Sequence, residues 1–559
     1  MKQYSRFLYI VVSLLLVAYS TLFVFNSSFV LSNGRRYFCL ADDAMISMQY
    51  AWNFSHGLGL VWNHGERIEG YTNPLMVALM SLVTYFFDKR ISCLVIQVLG
   101  IGILLGCAFL CSLIIMQLMS DDDRKTPIEH QWEHRSLQSM TRTLGFLAPM
   151  SYYPLIYWTL MGMETGLLTL VLLGIIYAVF KWGEFPAGRH VLFIAVLSGL
   201  AYLTRPDSVI PVSLLFVYLS TRLMSNLGFR RAARYMIIFI LVFGAIIAVH
   251  FSLRWFYYGH LWPNTFVLKA LGMSRVQFLL NGWAFIKPFF DIPNCCLLVL
   301  SLLACIFDYS GKRLTLLAMF ASLVAYQILI GGDAWQRWRI LCPIIPLLLL
   351  VAILEIQRLV LACSKTAFFQ EYFLNRTILP VKYVPHLLIA GLFLLLIAGI
   401  NRHFALEMFS VHPKEVNANR RHCEIAVALS ELTRAEASVG VFWAGAIPYY
   451  SNRYSVDFLG KCDEVVSRLP PDTSGSVSWA GMFSVPGHNK YDLDYSIKKL
   501  MPDYVEGLRY GRQNLSEWGS DRYLEISWHD VKLYLKKASP NVFWHKIAKL
   551  SASTNANKQ

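Results

Sequence analysis

The feature that most constrains this chain is its recurring long apolar blocks: residues 7–31, 91–120, 236–253 and 314–330 contain no Asp, Glu, Lys or Arg. Each block is about 17 to 30 residues, enough for a helix to cross about 30 Å of hydrocarbon, where a backbone must satisfy its own hydrogen bonds. With 56% hydrophobic and only 15% charged residues over 559 positions, and a mean hydropathy of +0.46, an ordinary soluble globule is excluded. The first block follows Lys2 and Arg6, is too long for a signal-peptide core and lacks a small-x-small cleavage site, so it reads as a retained span with its N-terminus inside. The net charge of +15 does not point to nucleic acid, because much of it sits in short loops, as at Arg222, Arg230, Arg231 and Arg234. That is the positive-inside pattern.

Assigning basic loops to the cytoplasm predicts a polytopic all-α membrane domain over 1–401 with about eleven crossings, near 7–31, 91–119, 143–160, 164–181, 190–205, 208–220, 236–253, 291–308, 314–330, 340–357 and 385–401. The stretch 71–87 is read as re-entrant, since letting it cross would put Arg124, Lys125, Arg135 and Arg142 outside. An odd count leaves the C-terminal region outside. From 402 onward the composition is that of a soluble α/β domain ending near 550, followed by a disordered tail over 551–559. Of the eleven cysteines most lie in apolar segments, whereas Cys423 and Cys462 lie in this polar region. In an extracytoplasmic compartment those two form a candidate disulfide.

The first external loop, 32–70, carries the adjacent acids Asp42 and Asp43 just before apolar residues at Met45, Met48 and Trp52, a spacing that predicts an interfacial helix. At a helix N-terminus the dipole keeps carboxylates ionised, and one of them can act as a general base; the plainer reading is an N-cap. His56, His64, Glu66 and Glu69 follow without a recognised ligand spacing, so a divalent cation is left open and a solvated loop is the plainer reading. Arg205, beside Asp207 in LTRPDS, suits a bidentate grip on phosphate or an ion pair with Asp207. Lys269, Arg337 and Arg339 are further cations on the same predicted face, interleaved with Trp262, Trp335 and Trp338, where an aromatic belt is also expected. Glu164 begins a helix or takes part in chemistry. The Asn-x-Ser/Thr triplets at Asn53, Asn375 and Asn514 are chance-level matches. A base and several cations at one membrane face suit transfer of a group from a lipid-linked phosphate, which leaves without an acid catalyst.

The strings ADDAMISMQYAWNFSHGLGLVWNHGERIEGYTNPL, GMETGL, LTRPDS, YGHLWPNTFVLKALG, GGDAWQRWRILCPIIPLLLL and GAIPYYSNRYSVDFLGKCD together resemble the GT-C membrane glycosyltransferases. The likeness is to the group containing the mycobacterial terminal β-(1→2)-arabinofuranosyltransferase and its bacterial relatives. It implies a GT-C fold, a polyprenyl-phosphate sugar donor, a glycan acceptor, inversion, and an active site facing the periplasm from the bacterial inner membrane. By the same likeness Asp42 takes the place of the catalytic aspartate, with Asp43 as a second acid. Arg205, Lys269 and Arg339 are candidates for the donor phosphate, and Tyr71, Asn73, Glu164 and Asn264 for cavity-lining positions. GGDAWQRWR departs from the commoner GGDFMPGRWR-like form at Gln336 and Arg337. Alternatives are a transporter of lipid-linked glycans, or a ligase or polymerase using diphosphate-linked donors.

Overall fold

The computed structural model describes residues 2–119, 131–183, 186–366 and 383–548; Arg124, Lys125, Asn375 and the 551–559 tail lie outside the described residues. Seven helices are long and apolar enough to cross a membrane: Leu8–Asn26, Lys89–Leu118, Thr165–Trp182, Pro206–Leu227, Phe229–Tyr258, Gly311–Leu329 and Ile345–Ser364. Two further helix pairs, Arg275–Phe289 with Ile292–Phe307 and Val384–Ile400 with Arg402–Ser410, are bent by 89° and 58°, which brings the number to as many as nine among the described residues.

The departure from eleven has local causes. The 143–160 block is not one helix: Gln131–Leu147 runs into a 3-10 turn, Ala148–Ser151, and a separate helix, Tyr153–Leu160, follows. Pro149 and Pro154 have no amide hydrogen to continue the ladder. At the break the Tyr153 amide donates to Asn401 Oδ1 at 2.9 Å, and Asn401 Nδ2 donates to the Ser151 carbonyl at 2.7 Å. Helix Gly188–Thr204 has 17 residues, at the short end of what can cross, and Pro74–Phe86 has 13, about 20 Å against the about 30 Å of a bilayer core. Helix Ile345–Ser364 is central: every residue from Ile345 to Gln357 is buried, as its nearly all-round apolarity requires.

The loop after the first span begins with a short hairpin, Phe29–Val30 with Arg36–Tyr37, and continues into helix Asp42–Ser55, which packs on Pro74–Phe86. The helix is covered by protein on most of its faces. Met45 and Met48 are fully buried, and so are the polar Ser47, Gln49 and Asn53, because the C-terminal region closes over this helix. Trp62 Nε1 donates to the Ala444 carbonyl at 3.1 Å, Asn419 Nδ2 to the Leu40 carbonyl at 3.0 Å, and Tyr450 OH to the Phe38 carbonyl at 2.5 Å.

The C-terminal region is built on a five-stranded sheet in the order Tyr454–Asp457, Ser438–Val441, Tyr504–Val505, Val531–Lys536, Tyr523–Trp528. The first three strands are parallel and the last two antiparallel. The sheet core includes Val439, Val441, Leu533 and Leu535, all fully buried. Cys423 and Cys462 are buried free thiols: Cys462 faces the Tyr50 hydroxyl at 3.7 Å, and Cys423 neighbours Cys39, so the expected pairing is not formed.

Asn401→Leu removes both bonds that hold the Pro149/Pro154 break and leaves buried backbone groups unpaired, at about 1–3 kcal/mol each. Purified variant in detergent is expected to melt several degrees below wild type, and an unchanged melting temperature would contradict this role.

Candidate active site

Strings far apart in the chain meet around a cavity of about 760 Å³. Its walls come from the start of helix Asp42–Ser55, the 70–73 loop, the 163–164 and 205–207 turns, the segment 262–278, the 329–340 loop and Lys461. Six cations (Arg205, Arg254, Lys269, Arg275, Arg339 and Lys461) and four carboxylates (Asp43, Glu164, Asp207 and Asp333) line it, an excess of two positive charges. The stacked rings of Trp262 and Phe266, 4.9 Å apart, form part of the wall and are about half exposed.

Asp43 holds the central position. Its Oδ1 accepts from Lys461 Nζ at 2.8 Å, and its Oδ2 accepts from Trp335 Nε1 at 2.8 Å and Arg339 Nη1 at 3.1 Å. Burial alone would raise the Asp43 carboxyl, but the charges of Lys461, Arg339 and Lys269 overcome it and hold it well below the usual carboxylate range. The guanidinium of Arg339 is itself fixed by Asp333, at 2.6 and 3.0 Å, and Asp333 is likewise lowered, the effect of Arg339 and Lys269 exceeding that of burial.

The structure separates the acid pair, with Asp43 at the cavity and Asp42 behind it. Asp42 is 5% exposed and is not part of the cavity lining. Its Oδ1 accepts from the Gly445 amide at 3.1 Å, and its Oδ2 has no partner. A Cβ on Gly445 would lie 2.5 Å from Asp42 Oδ1, so only glycine lets that amide reach the carboxylate. Burial pushes Asp42 up to about 6, with Lys461 opposing and Asp43 adding. Neither acid caps the helix with its side chain: the N-cap is Ala41.

Arg205 is saturated by carboxylates. It binds Asp207 through Nε at 3.0 Å and Nη2 at 2.7 Å, and Glu164 through Nη1 at 2.7 Å. Glu164 also accepts from Asn73 Nδ2 at 3.0 Å, and Asn73 Oδ1 from Ser47 Oγ at 3.1 Å. Arg205, Glu164 and Asn73 therefore form one wall network, and the ion-pair reading of Arg205 describes its contacts here. Lys269 lines the cavity and makes no hydrogen bond or ion pair among the described residues. Burial pushes its amine down, with Asp333 opposing. Its stem passes 3.0 Å from where a Cβ on Gly487 would stand.

Tyr71 lines the cavity and shares a hydroxyl contact of 3.3 Å with Tyr258. Asn264 does not line it. Its Nδ2 donates to the carbonyls of Gly460, Lys461 and Asp463 at 2.9, 3.0 and 3.2 Å, which fixes the loop presenting Lys461. Arg337, at φ 72°, turns to Glu407 and Glu415 at 2.8 and 2.9 Å, lies over the Tyr157 ring, and takes no part in the cavity.

Three residues the sequence reading left unassigned belong to this site: Lys461, Asp333 and Arg254. All three are cavity-lining charges, and Arg254 forms a buried two-point pair with Glu69 at 2.6 and 3.1 Å. For Lys461 and Asp333 the available signal was their place inside the strings GKCD and GGDAW. Glu66 accepts from Asn63 and Tyr454, and His56 stacks on Trp52, so the loop's metal-type residues are engaged separately. Among the described residues no three His, Cys, Asp or Glu groups converge as ligands. All four cavity carboxylates are already paired with Arg205, Arg339 or Lys461, so this donor set does not fit a divalent ion.

A family model described as a domain of unknown function (DUF8728) matches residues 412–552. No curated protein matches the sequence. Among solved structures, the Archaeoglobus fulgidus oligosaccharyltransferase in its apo form is similar at a TM-score of 0.53 and 11% identity, over 97% of this chain and 76% of that one. The same organism's oligosaccharyltransferase AglB, in complex with an inhibitory peptide and a dolichol-phosphate, is similar at 0.50 and 10%, over 94% and 74%. Apo ArnT from Cupriavidus metallidurans gives 0.46 and 13%, over 79% and 85%. At these identities the oligosaccharyltransferase likeness shows the fold: this is a multi-pass membrane protein of GT-C architecture with a C-terminal α/β region.

The raised Asp42 carboxyl sets a pH dependence. Because its folded pKa of about 6 exceeds the unfolded value, Asp42 adds stability at low pH that is lost as pH rises through about 6, a penalty of about 3 kcal/mol above it. Asp42→Asn removes the ionisation but keeps the Gly445 acceptor. The melting temperature of the variant relative to wild type is expected to rise between pH 4.5 and 7.5, and a pH-independent difference would refute the assignment.

Proposed function

We propose that this protein is an inverting glycosyltransferase of the GT-C class that moves a sugar from a polyprenyl-phosphate donor to an envelope glycan. The observation that carries this reading is the cluster of Lys461, Asp43 and Arg339 on the wall of a cavity that also contains the unpaired amine of Lys269. An excess of positive charge suits a phosphate, and the half-exposed Trp262 and Phe266 suit the prenyl chain where it leaves for the lipid. The cavity volume of about 760 Å³ matches a single small ligand, for which about 300–1,000 Å³ is typical. That favours a monosaccharide phosphate over a whole glycan on a diphosphate.

In this reading the donor phosphate competes with Asp43 for its cations. Arg339 is fixed by Asp333, while the lysine ammoniums at 461 and 269 are point charges on flexible stems able to turn to the phosphate. As Lys461 engages the phosphate, the force depressing Asp43 weakens and the carboxylate becomes a better base. The acceptor hydroxyl oxygen then bonds to the anomeric carbon, the bond from that carbon to the phosphate oxygen breaks, the proton passes to Asp43, and polyprenyl phosphate leaves. A single displacement inverts the anomeric centre. We take Asp43 rather than Asp42 as the base, supported by its place in the cavity lining, because a base must reach the proton it takes. Arg205, held by Asp207 and Glu164, shapes the wall. Lys461 and Arg339 supply the charge a divalent ion would bring.

The resemblance to arabinofuranosyltransferases makes a pentofuranosyl donor the first to offer, with the site facing the periplasm from the bacterial inner membrane. The test is transfer by full-length protein in nanodiscs, with a panel of synthetic polyprenyl-phosphate sugars and envelope glycan extract read by mass spectrometry. One donor is expected to give product, and chelator to leave the rate unchanged. Asp43→Asn is expected to lower kcat by about 10²–10⁴-fold, and Asp42→Asn to stay within about tenfold of wild type. Lys269→Ala should raise the donor KM with little change for the acceptor. Absence of product from every donor, or full turnover by Asp43→Asn, would overturn the reading.

A further inference from the structure

Asp43 has a second neighbourhood outside the cavity. Trp335, whose indole N–H it accepts, lies with its ring centroid 6.3 Å from that of Trp443. Trp443 in turn is 6.0 Å from His488, and His488 is 4.9 Å from Trp479. Three tryptophans from three separate segments thus form one aromatic surface leading away from the proposed base, and all three remain partly exposed. The Trp335 N–H goes to Asp43, and the Trp479 N–H to the Ala334 carbonyl at 2.7 Å. The polar N–H edges of those two rings are therefore engaged within the protein.

Polar atoms without partners are buried among these rings. His488, 3% exposed between Trp443 and Trp479, has no partner for Nδ1, and neither has His422, 8% exposed and stacked on Trp443 at 6.0 Å. Asp42, whose Oδ2 is likewise unpartnered, is held by the Gly445 amide two residues beyond Trp443. Unpaired buried polar atoms cost about 1–3 kcal/mol each, and a ligand that supplies partners recovers that energy. A ligand suited to this combination has C–H faces to lay on indoles and hydroxyls to pair with ring nitrogens and a carboxylate, which is the chemistry of a saccharide.

We infer that Trp335, Trp443 and Trp479, with His488 between them, form the acceptor subsite, on which a glycan lies with its reactive hydroxyl directed at Asp43. This rests on the proposed transferase reading. It places donor and acceptor on different sides of one carboxylate: the lipid-linked sugar in the cavity of spans and loops, the acceptor on a platform drawn largely from the C-terminal region. Trp335, bonded to Asp43, joins the two.

The test is binding rather than turnover, with full-length protein in nanodiscs on an array of bacterial envelope oligosaccharides, affinities taken by saturation-transfer NMR for those retained. In parallel, undecaprenyl phosphate binding by native mass spectrometry reports the donor side and the fold. Trp443→Ala is expected to weaken saccharide binding about tenfold or more, and Trp443→Phe, which keeps an aromatic face, to stay within about threefold. Both variants should retain undecaprenyl phosphate. An array that captures nothing with wild type, or a Trp443→Ala variant that binds saccharide as wild type does, would overturn the subsite. Saccharide binding lost in Trp443→Ala by a protein that never binds undecaprenyl phosphate would support the subsite and sink the donor half of the proposed function.

Discussion

The interaction on which the site depends is the clamp around Asp43. Its three donors come from two separate parts of the chain: Lys461 from the C-terminal region, Arg339 and Trp335 from the loop before the central helix. Buried charges are tolerated only when paired and hydrogen-bonded, so each partner holds the others in place. The clamp therefore fastens the C-terminal sheet to the membrane helices at the point where chemistry is proposed. Asn264 reinforces it by gripping the carbonyls of Gly460, Lys461 and Asp463, and Arg254 with Glu69 ties the first inter-span loop to the long helix Phe229–Tyr258.

The two adjacent aspartates show how environment separates identical side chains. Asp43, surrounded by cations, is held ionised, while Asp42, one residue away with only the Gly445 and Ala446 amides to help it, is pushed up by burial. The same logic separates the cations. Arg205 and Arg339 have their guanidinium groups largely filled by carboxylates, whereas the Lys269 amine has no such partner. In the proposed reading a phosphate in this cavity would meet the amine of Lys269, which has no ion pair among the described residues, beside arginines already paired to carboxylates.

Much of the architecture was legible in the sequence, because long charge-free blocks have few alternatives to membrane helices. The count failed where local chemistry beat hydropathy: Pro149 and Pro154 divide a block that is apolar throughout, and the capture of the Tyr153 amide by Asn401, some 250 positions distant, is not a pattern any window reveals. The motif strings located the cavity, since Asp43, Glu164, Arg205, Lys269 and Arg339 all line it. Which aspartate faces it was not legible, because that is decided by Gly445 and Lys461 in a region about 400 residues away. Burial of helix Asp42–Ser55 was hidden as well: Ser47, Gln49 and Asn53 bond to Asn73 and to the Val61 and Trp62 carbonyls of the same loop, which the C-terminal region then covers.

The central claim, that a donor phosphate takes the cations of Asp43 and so frees the carboxylate, is tested most directly by a cryo-electron microscopy structure in nanodiscs with a polyprenyl-phosphonate sugar that cannot be transferred. The phosphonate is expected in the cavity within hydrogen-bonding distance of Lys269 and Lys461, with Lys461 withdrawn from Asp43 and that carboxylate turned toward the anomeric carbon. A phosphonate bound elsewhere, or one bound in the cavity while Lys461 stays on Asp43, would contradict it.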